Sequence, residues 1–414
     1  MQVSLSDTPA DQLLSFQFTI NSIVLTSTSG ATVAVLPAAT TVELSHLQAT
    51  AQPVSQIKVP QATYTGATVS LSDVSASFVS VSTGPPATTS FSGTFNVPIS
   101  FQPNLVVGTN AVALNLDLNL AQSLPSLTSG GFVPAMTATI NSVPAAAQQE
   151  EGNGGVHDLT GVVSSTGSNS FVLAASQVDT PLTIVVNGST QFVGVSGLSG
   201  LAANTIVEAD AAMQGDNTLL ASKVEAESGV KLQAEGVVSG RTPGPTNAFT
   251  IVVQSSQSSP GSNASSLGIP LGISVDNTTS FILPSDEANL SGLPFTPSFA
   301  SFADLAVGQR VEARTTSASG FGPVVTQVKL SLQTLSGTPN SQTGGNQYTL
   351  ALPSGSALGL LTGASSVDFI VQQPGTELKG LSNIVLGTPV HVRGLLFFDR
   401  PSGRYKLVAA RVTP

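Results

Sequence analysis

Apolar and polar positions alternate with a period of two along most of the chain, most clearly at residues 14–25, 32–36, 67–71 and 111–118. Alternate side chains of a strand point to the same face, so this pattern predicts half-buried β-strands. Clusters of Gly, Pro, Asn and Ser separate the segments at short intervals and predict tight turns. The best helical candidate is a short turn at 41–47. We therefore predict an all-β fold.

A change in composition at residues 145–155, which hold no large apolar side chain, predicts a linker at 144–156. Before it, residues 1–143 are expected to form a β-sandwich of Ig-like or transthyretin-like type. Behind it, we predict three tandem barrels of OB-like type at 157–230, 231–333 and 334–414, arranged like beads.

The three barrels are predicted from an internal repeat with four features in a fixed order. These are a strand containing Gly, a Thr-x-apolar turn, a phrase beginning on Leu, and a closing strand. The Gly strands lie at 159–163, 234–238 and 335–338, and the turns begin at Thr190, Thr279 and Thr376. The Leu phrases begin at Leu201, Leu305 and Leu386, and the closing strands lie at 219–225, 325–330 and 406–412. We expect the Gly strand and the closing strand to pair, because a closed barrel leaves no strand edge unpaired.

The second unit is the longest because it contains two insertions, at 255–266 and 283–302. Long loops often carry binding sites. Phe295, Phe299 and Phe302 of the second insertion would line a ligand site, or alternatively plug the mouth of the barrel.

The opening stretch, Val3 to Asp11, resembles domain of unknown function 4382, whose members begin with a strand of the type "VSLTDAPAD". Residues 59–64, 116–118 and 132–134 add further matches to that family. The three later units resemble domain of unknown function 5666, which repeats a G-x-V strand, a T-x-F turn, an L-x-x-G phrase and an A-x-x-V strand. Two positions depart from this pattern, namely Leu378 in place of Phe and Asn204 in place of Gly.

Both resemblances imply exported bacterial β-proteins, often lipoproteins, with no accepted biochemical role. Members usually carry a signal peptide, commonly with a lipid-modified cysteine, before the opening strand. The resemblance therefore implies an exported protein from which the export segment has been removed, and whose precursor could carry a lipid anchor.

Composition narrows the classes of partner and chemistry. Only 9% of residues are charged, the net charge is −10, and the 13 Lys and Arg are scattered, so we expect neither nucleic acid nor an anionic membrane as a partner. The absence of Cys excludes thiol chemistry and disulfides. The chain contains no run of 18 apolar residues, so direct insertion into a membrane is not predicted.

The histidines, His46, His157 and His391, lie in no catalytic or metal-binding motif, so no catalytic role is expected. The loop from Glu150 to Asp158 could offer oxygen ligands to Ca²⁺, but a solvated linker is the preferred interpretation. Asp7 and Asp11 could likewise be ligands and are instead expected to fix a turn. No cofactor and no metal are predicted.

Two carboxylate pairs, Glu208 with Asp210 and Glu225 with Glu227, lie two residues apart on predicted strands. The two side chains of each pair should point to the same face of the strand. We prefer to interpret that face as a solvated outer face rather than as a glycosidase site. The chain has no Trp and three Tyr, so it offers little aromatic platform for a sugar.

Residues 392–412 interleave basic and aromatic side chains, as nucleic-acid-binding barrels do. We interpret this segment as a hairpin turning at 400–403, with Phe397 and Phe398 partly in the core and its charges exposed. A weak polyanion site is the alternative. The glycosylation-type triplets at Asn187, Asn263, Asn277 and Asn289 carry no functional prediction.

The sequence favours a non-enzymatic, exported component of the bacterial cell envelope that acts as a spacer, scaffold or adhesive module. Its expected partners are other envelope proteins or copies of itself. The alternatives are a subunit of an extracellular filament or sheath joined through edge strands, and a ligand-binding module that uses the insertions of the second unit. An enzyme is not expected, because no nucleophile, base and orienting residue can be assembled from the sequence.

Overall fold

The computed structural model describes residues 1–8, 11–47, 51–79, 85–124, 131–143, 154–175, 181–216, 218–227, 229–258, 266–284, 287–317, 321 and 324–414. Nearly every regular element in them is a β-strand, as the alternating pattern predicts. Neither of the two short helices described is long and apolar enough to cross a membrane.

The N-terminal domain is built from two sheets around one core. Its elements are β1 (Gln2–Thr8), β2 (Leu13–Ser27), β3 (Thr32–Ala34), β4 (Thr40–Glu43), β5 (Ala51–Gln56), β6 (Ala62–Phe78), β7 (Ala87–Phe91), β8 (Phe95–Val107), β9 (Val112–Asn119), α1 (Leu120–Ser123) and β10 (Met136–Ser142). One sheet has the order β10-β9-β1-β5, and the other has the order β3-β2-β6-β7, with β4 paired to β2 and β8 to β6. Leu5 and Leu116 of the first sheet and Phe16 and Ile23 of the second are fully buried in the shared core.

Each later unit is a six-stranded sheet with the same strand order. The first barrel comprises β11 (Gly155–Thr166), β12 (Ser170–Ala175), β13 (Leu182–Val185), β14 (Gln191–Val193), β15 (Ile206–Met213) and β16 (Leu219–Glu227). The second comprises β17 (Leu232–Thr242), β18 (Asn247–Ser258), β19 (Pro270–Val275), β20 (Ser280–Ile282), β21 (Arg310–Thr315) and β22 (Gln327–Leu330). The third comprises β23 (Gln333–Thr343), β24 (Gln347–Ala351), α2 (Ala357–Thr362), β25 (Ser366–Val371), β26 (Glu377–Leu378), β27 (Val390–Asp399) and β28 (Arg404–Thr413).

Five strands close the first and third barrels through a parallel pair, β13 with β16 and β25 with β28. In the second barrel, the N–H of Val325 donates to the carbonyl of Ser274 at the corresponding junction, at 3.0 Å. The first strand of each unit pairs with the second and with the strand before the closing one. The expected pairing of the first strand with the closing strand is therefore wrong, although the barrel prediction is confirmed. The finer Ig-like, transthyretin-like and OB-like types stay predictions.

The repeated glycine marks a close approach of two strands. A Cβ atom on Gly161, Gly236 or Gly337 would overlap a carbonyl oxygen of the second strand, those of Ala174, Val252 and Ala351 respectively. Only glycine fits such a contact without moving the backbone. The first shared feature of the repeat is therefore a packing requirement.

The repeated threonine ties the extra strand to the closing strand. The hydroxyl groups of Thr190 and Thr376 donate to the closing-strand carbonyls of Ala221 and Ala409, at 2.8 and 2.6 Å, and that of Thr279 donates at 2.8 Å to the carbonyl of Val325, just before the closing strand. Each hydroxyl also accepts a backbone N–H from the preceding turn. The three units therefore share this hydrogen-bond pattern as well as their topology.

The Leu phrase contains a position that requires a left-handed backbone. Asn204, Gly308 and Gly387 have φ of 70°, 87° and 85°, and each donates its N–H to the first strand of its unit. Asn tolerates this conformation better than other non-glycine residues, which explains the departure at Asn204. In the first two units the phrase begins three residues before this position, so in the third unit it begins at Ile384, three residues before Gly387. The predicted start at Leu386 is therefore two residues too late.

The domains pack against one another, so the expected arrangement like beads is wrong. The chain exposes 16234 Å², close to the ~15,000 Å² of one compact chain of this size and well below the ~22,000 Å² of four separate domains. Buried Leu14 and Val79 of the sandwich, Val252 of the second barrel and Ala357 of the third form one apolar cluster. Such clusters cannot form between domains that are held only by linkers.

The predicted linker at 144–156 is also partly structured. Gly155 and Val156 belong to β11, and Val156 is buried in the core that joins the sandwich to the first barrel. Residues 144–153, with Glu150 and Glu151, lie outside the described residues.

The second insertion of the second barrel is an inter-barrel contact. Phe299 and Phe302 are buried in the core of that barrel, as the plug interpretation expects, and Phe295 meets Phe397 of the third barrel at 5.7 Å between ring centroids. The hydroxyl of Tyr405 in the third barrel donates to Val307 O at 2.8 Å. Much of the first insertion, residues 259–265, lies outside the described residues.

Candidate functional site: a charged cleft between the barrels

A polar cleft lies where the three barrels meet, with a cavity volume of ≈ 290 Å³. We call it the charged cleft, and its lining consists of His157, Asp158, Glu208, Asp210, Lys223, Glu287, Lys329, Leu332, Glu377, Arg393, Ala410 and Arg411. An adjoining chamber of ≈ 90 Å³ shares several of these residues and reaches the sandwich at Gln52 and Pro53. In a chain with 9% charged residues, this is a marked concentration of charge.

Strand pairing places the carboxylates of the first barrel on the wall of the cleft. Glu208 lies opposite Glu225 across β15 and β16, and Asp210 lies opposite Lys223. The prediction that Glu208 and Asp210 share one strand face agrees with this register. The expected solvated face is wrong, because the second barrel covers it and leaves Glu208 half-buried.

The second and third barrels supply the cations that face these carboxylates. Lys329 Nζ lies 2.9 Å from Glu287 within the second barrel. Arg393 of the third barrel lies 3.9 Å from Asp158 of the first. The second of these pairs joins two different barrels across the cleft.

Burial shifts the acid equilibria of the cleft. Desolvation raises the pKa of Glu208 to about 8, although the charge of Lys329 opposes the shift. Desolvation likewise raises the pKa of Glu287 to about 7, again against Lys329. Lys329 itself is desolvated, but the facing Glu208 and Glu287 raise its pKa, so it stays charged. One ammonium therefore faces two carboxyl groups.

At the mouth of the cleft, His157 Nδ1 lies 3.7 Å from Asp210, which also accepts the N–H of Asp158 at 3.0 Å. Burial disfavours the charged form of Asp210, but these two partners outweigh it and lower its pKa. Asp158 has a positive φ of 52°, which turns its N–H toward β15. His157 therefore belongs to a polar network with Asp210 and Asp158.

A buried ion triad joins the first and second barrels beside the cleft. Arg314 of β21 pairs with Glu312 of its own strand and with Glu227 of β16. Gln233 donates to the other oxygen of Glu312 at 2.6 Å. The prediction that Glu227 lies on a solvated face is therefore wrong, because Glu227 pairs with Arg314.

A second polar contact ties the sandwich to the third barrel. Asp11 Oδ1 accepts the N–H of Ser336 at 3.2 Å, and Asp11 O accepts that of Ala357 at 2.6 Å. Ser336 Oγ lies 2.8 Å from His391 Nδ1, its opposite residue across β23 and β27. Burial raises the pKa of Asp11 and lowers that of His391. The carboxylate contacts the serine rather than orienting the imidazole, so the set lacks the order of a catalytic triad.

Asp7 does not fix a turn as expected. It is 5% exposed on the core face of β1, and neither oxygen makes a hydrogen bond of ordinary geometry within the described residues. Desolvation, with repulsion from Asp117 and Glu43, raises its pKa well above 3.8. Within the described residues, no three His, Asp or Glu side chains are grouped to hold a metal ion.

The predicted hairpin at 392–412 forms, with β27 ending at Asp399 and β28 beginning at Arg404. Phe397 is buried and Phe398 is partly exposed, as expected. The expected exposure of its charges is wrong for Lys406, whose side chain is 9% exposed and lies 3.8 Å from both Asp368 and Asp399.

The remaining candidates carry no site. His46 lies in the turn Ser45–Leu47, and its side chain lies outside the described residues. The side-chain oxygens of Asn187 and Asn289 cap local turns. Asn277 lies in the exposed turn before β20, and Asn263 lies outside the described residues.

Sequence reasoning missed Lys329, Glu287 and Arg314. A signal was present, because Glu208 and Glu312 occupy the same position of the repeated phrase, in "VEAD" and "VEAR". Charge retained at equivalent outward positions of a charge-poor chain indicates a shared interface.

Comparison with known proteins agrees with the predicted resemblances of the N-terminal domain and of the first barrel. Residues 1–133 match the model of the domain of unknown function DUF4382, and residues 160–225 match that of the domain of unknown function DUF5666. None of the curated proteins matches the sequence. Among solved structures, the chain is similar to Drosophila Unr CSD456, with 9% identity, coverage of 61% of this chain and 95% of that chain, and a TM-score of 0.14.

Proposed function

We propose that this protein is a non-enzymatic structural component of the bacterial cell envelope, exported from the cytoplasm, in which the four β-domains act as one rigid body. The observation that carries the proposal is the use of polar side chains for contacts between domains. Asp11 binds the third barrel, and Arg314 binds Glu227 of the first. Buried polar side chains of this kind stabilise the contacts between domains, which supports a structural role.

Further contacts support a rigid body. Gln254 of the second barrel donates to Leu14 O of the sandwich at 2.8 Å, and Gln309 donates to Leu396 O of the third barrel at 2.8 Å. Buried amide hydrogen bonds of this kind are costly to break, because the partner left behind stays desolvated. A scaffold needs such resistance, whereas a chain of independent beads would bend at each linker.

Three measurements test this proposal. Small-angle scattering of the purified chain should give one compact particle, and negative-stain microscopy over a range of concentrations should show single particles. Ordered polymers with a constant repeat would favour the filament alternative, and extended flexible rods would contradict the rigid body. Fractionation of cells that produce the protein natively should place it in the envelope, and a cytoplasmic location would contradict the export part.

A further inference from the structure

A second concave surface, with a cavity volume of ≈ 860 Å³, lies where the second barrel meets the β27–β28 turn of the third. We call it the arginine groove. Its walls are the end of β17, the turn between β19 and β20, and residues 300–303 of the second insertion. Its charged lining residues are Arg241, Arg400 and Asp276, so two cations face one carboxylate and the formal charge is +1. The groove is therefore locally positive in a chain whose net charge is −10.

Two consecutive backbone carbonyls hold the arginines near each other. Arg241 Nη2 donates to Phe302 O at 2.6 Å, and Arg400 Nη2 donates to Ala303 O. The guanidinium of Arg241 also lies over the ring of Phe302, 4.5 Å from its centroid. Burial lowers the pKa of Arg241, and the charge of Arg400 lowers it further. The two guanidinium groups are therefore oriented by the second insertion and are close enough to repel each other.

Neither arginine is paired with a carboxylate. Within the described residues, neither guanidinium makes an ion pair, and each makes one hydrogen bond to the protein, the carbonyl contact above. Asp304 favours the charged form of Arg241, but its effect is smaller than those of burial and of Arg400. Asp304 Oδ2 instead accepts the N–H groups of Ala300 and Ser301, at 2.9 and 3.2 Å. The remaining guanidinium N–H groups are thus available to a ligand.

The charged cleft does not offer such donors. Each of the four cations in its lining has a carboxylate oxygen of the protein within 4 Å. A ligand there would have to displace a carboxylate, whereas in the arginine groove it would displace only solvent. The arginine groove is therefore the better anion site of the two.

The donor set favours a single carboxylate. A guanidinium presents parallel N–H groups that match the two oxygens of a carboxylate, and one anion between Arg241 and Arg400 would replace their repulsion by charge-assisted hydrogen bonds. A long polyanion is disfavoured because Asp276 and the net charge of −10 would repel its further charges. A single negative charge is still attracted, because the two arginines outweigh Asp276.

The rest of the lining suits a hydroxylated ring beside that carboxylate. Asn277 and Ser301 are exposed and carry an amide and a hydroxyl group, while Pro243 and Pro245 are exposed and present apolar rings. A volume of ≈ 860 Å³ is far larger than a bare anion needs and admits a sugar ring. The groove thus combines two cationic donors with neutral polar and apolar surface.

We propose that the arginine groove binds an acidic sugar of the hexuronate class. Its carboxylate accepts hydrogen bonds from Arg241 and Arg400, and its hydroxyl groups face Asn277 and Ser301. This binding does not depend on the structural role proposed above. The affinity falls as salt is added, because the groove is open to solvent and its charges are screened.

Saturation-transfer difference NMR of the full chain with D-glucuronate tests the proposal. We expect saturable binding that weakens as sodium chloride is added. Arg400→Gln should weaken binding by about tenfold or more, because it removes a charge-assisted hydrogen bond. Arg241→Lys keeps the charge but loses the planar pair of donors, so it should also weaken binding. D-Glucose, which has a similar ring but no carboxylate, and acetate, which has the carboxylate but no ring, should both bind more weakly than D-glucuronate.

Arg404→Gln is the matched control, since Arg404 belongs to the same hairpin as Arg400 but pairs with Asp368 at 2.7 Å. It makes the same change of charge and should bind D-glucuronate like the native chain. Absence of saturable binding up to tens of millimolar would overturn the proposal, and so would equal affinity of the native chain and the folded Arg400→Gln variant. Acetate or inorganic phosphate binding as tightly as D-glucuronate would overturn the assignment to a sugar.

Discussion

Asp11 of the N-terminal sandwich accepts a hydrogen bond from the N–H of Ser336, a residue 325 positions away in the third barrel. This contact joins the first and the last domain of the chain. Replacing Asp11 by Ala would leave the Ser336 N–H without its acceptor in a largely buried contact, and we expect unfolding to become easier by about 1–3 kcal/mol. Urea unfolding followed by circular dichroism measures the change.

Asp11→Asn is the control for that prediction, because the amide oxygen can still accept the hydrogen bond. Its stability should stay close to that of the native chain at pH 7. If Asp11→Ala and Asp11→Asn were equally stable, the contact would contribute nothing to the packing of the domains.

Asp7 should make stability depend on pH. Its pKa is raised in the folded chain, so folding favours its protonated form. The stability that protonated Asp7 contributes to the folded chain is complete below the ordinary pKa of 3.8, and it is lost as pH rises toward the pKa of Asp7 in the folded chain. Asp7→Asn should therefore match the native chain near pH 4 and be more stable than the native chain at pH 7, where ionisation of Asp7 stabilises the unfolded state.

The free energy of unfolding in urea at the two pH values tests this prediction through the difference between variant and native chain, in which the other titrating groups cancel. Asp216→Asn is the comparison, because the turn at Thr218 lowers the pKa of the exposed Asp216 and reverses the trend with pH. A constant difference between Asp7→Asn and the native chain at both pH values would contradict a buried, protonated Asp7.

The parts of the fold that could be predicted from the sequence depend on local requirements. Gly161 and its counterparts mark a close strand approach, and Thr190 and its counterparts make a fixed set of hydrogen bonds, so both recur visibly along the chain. The start of the Leu phrase in the third barrel was predicted wrongly, because Leu386, an exposed loop residue, is a leucine close to the true start at Ile384.

The charged cleft could not be predicted, because it depends on how domains pack. A glutamate such as Glu208 at an outward strand position has the same local sequence whether water or another barrel covers it. The same holds for Phe295, whose partner Phe397 lies in another barrel. Only the rarity of charge in this chain gave an indication, and it did not identify the partners.

The three recurring threonines should contribute similar amounts to the free energy of unfolding, because their hydrogen bonds share one geometry. Replacing Thr190, Thr279 or Thr376 by Val keeps the shape but removes the hydroxyl that donates to a carbonyl in or just before the closing strand, and we expect each change to cost about 1–3 kcal/mol. Thr→Ser at the same positions keeps the hydroxyl and should cost less. Thermal and urea unfolding of the six variants would show this, and a loss confined to one barrel would refute the equivalence.

Arg314 should be the most sensitive cation of the interface between the first and second barrels. Its side chain is 6% exposed, and its guanidinium pairs with Glu312 and Glu227. Arg314→Met would leave two carboxylates uncompensated in a dry interface, and we expect a loss of about 3–5 kcal/mol. Arg411→Met is the control, because Glu377, its partner in the third barrel, is 45% exposed, and such pairs contribute about 1 kcal/mol or less.

The triad can be separated from a simple loss of packing by removing its charges together. Glu227→Gln with Glu312→Gln in the Arg314→Met background should recover part of the lost stability, since uncharged amides are less costly to bury than unpaired carboxylates. Urea unfolding measures the recovery, and scattering shows whether the first barrel stays docked in each variant. If the triple variant were no more stable than Arg314→Met alone, the loss would come from the missing side-chain volume rather than from unpaired charge.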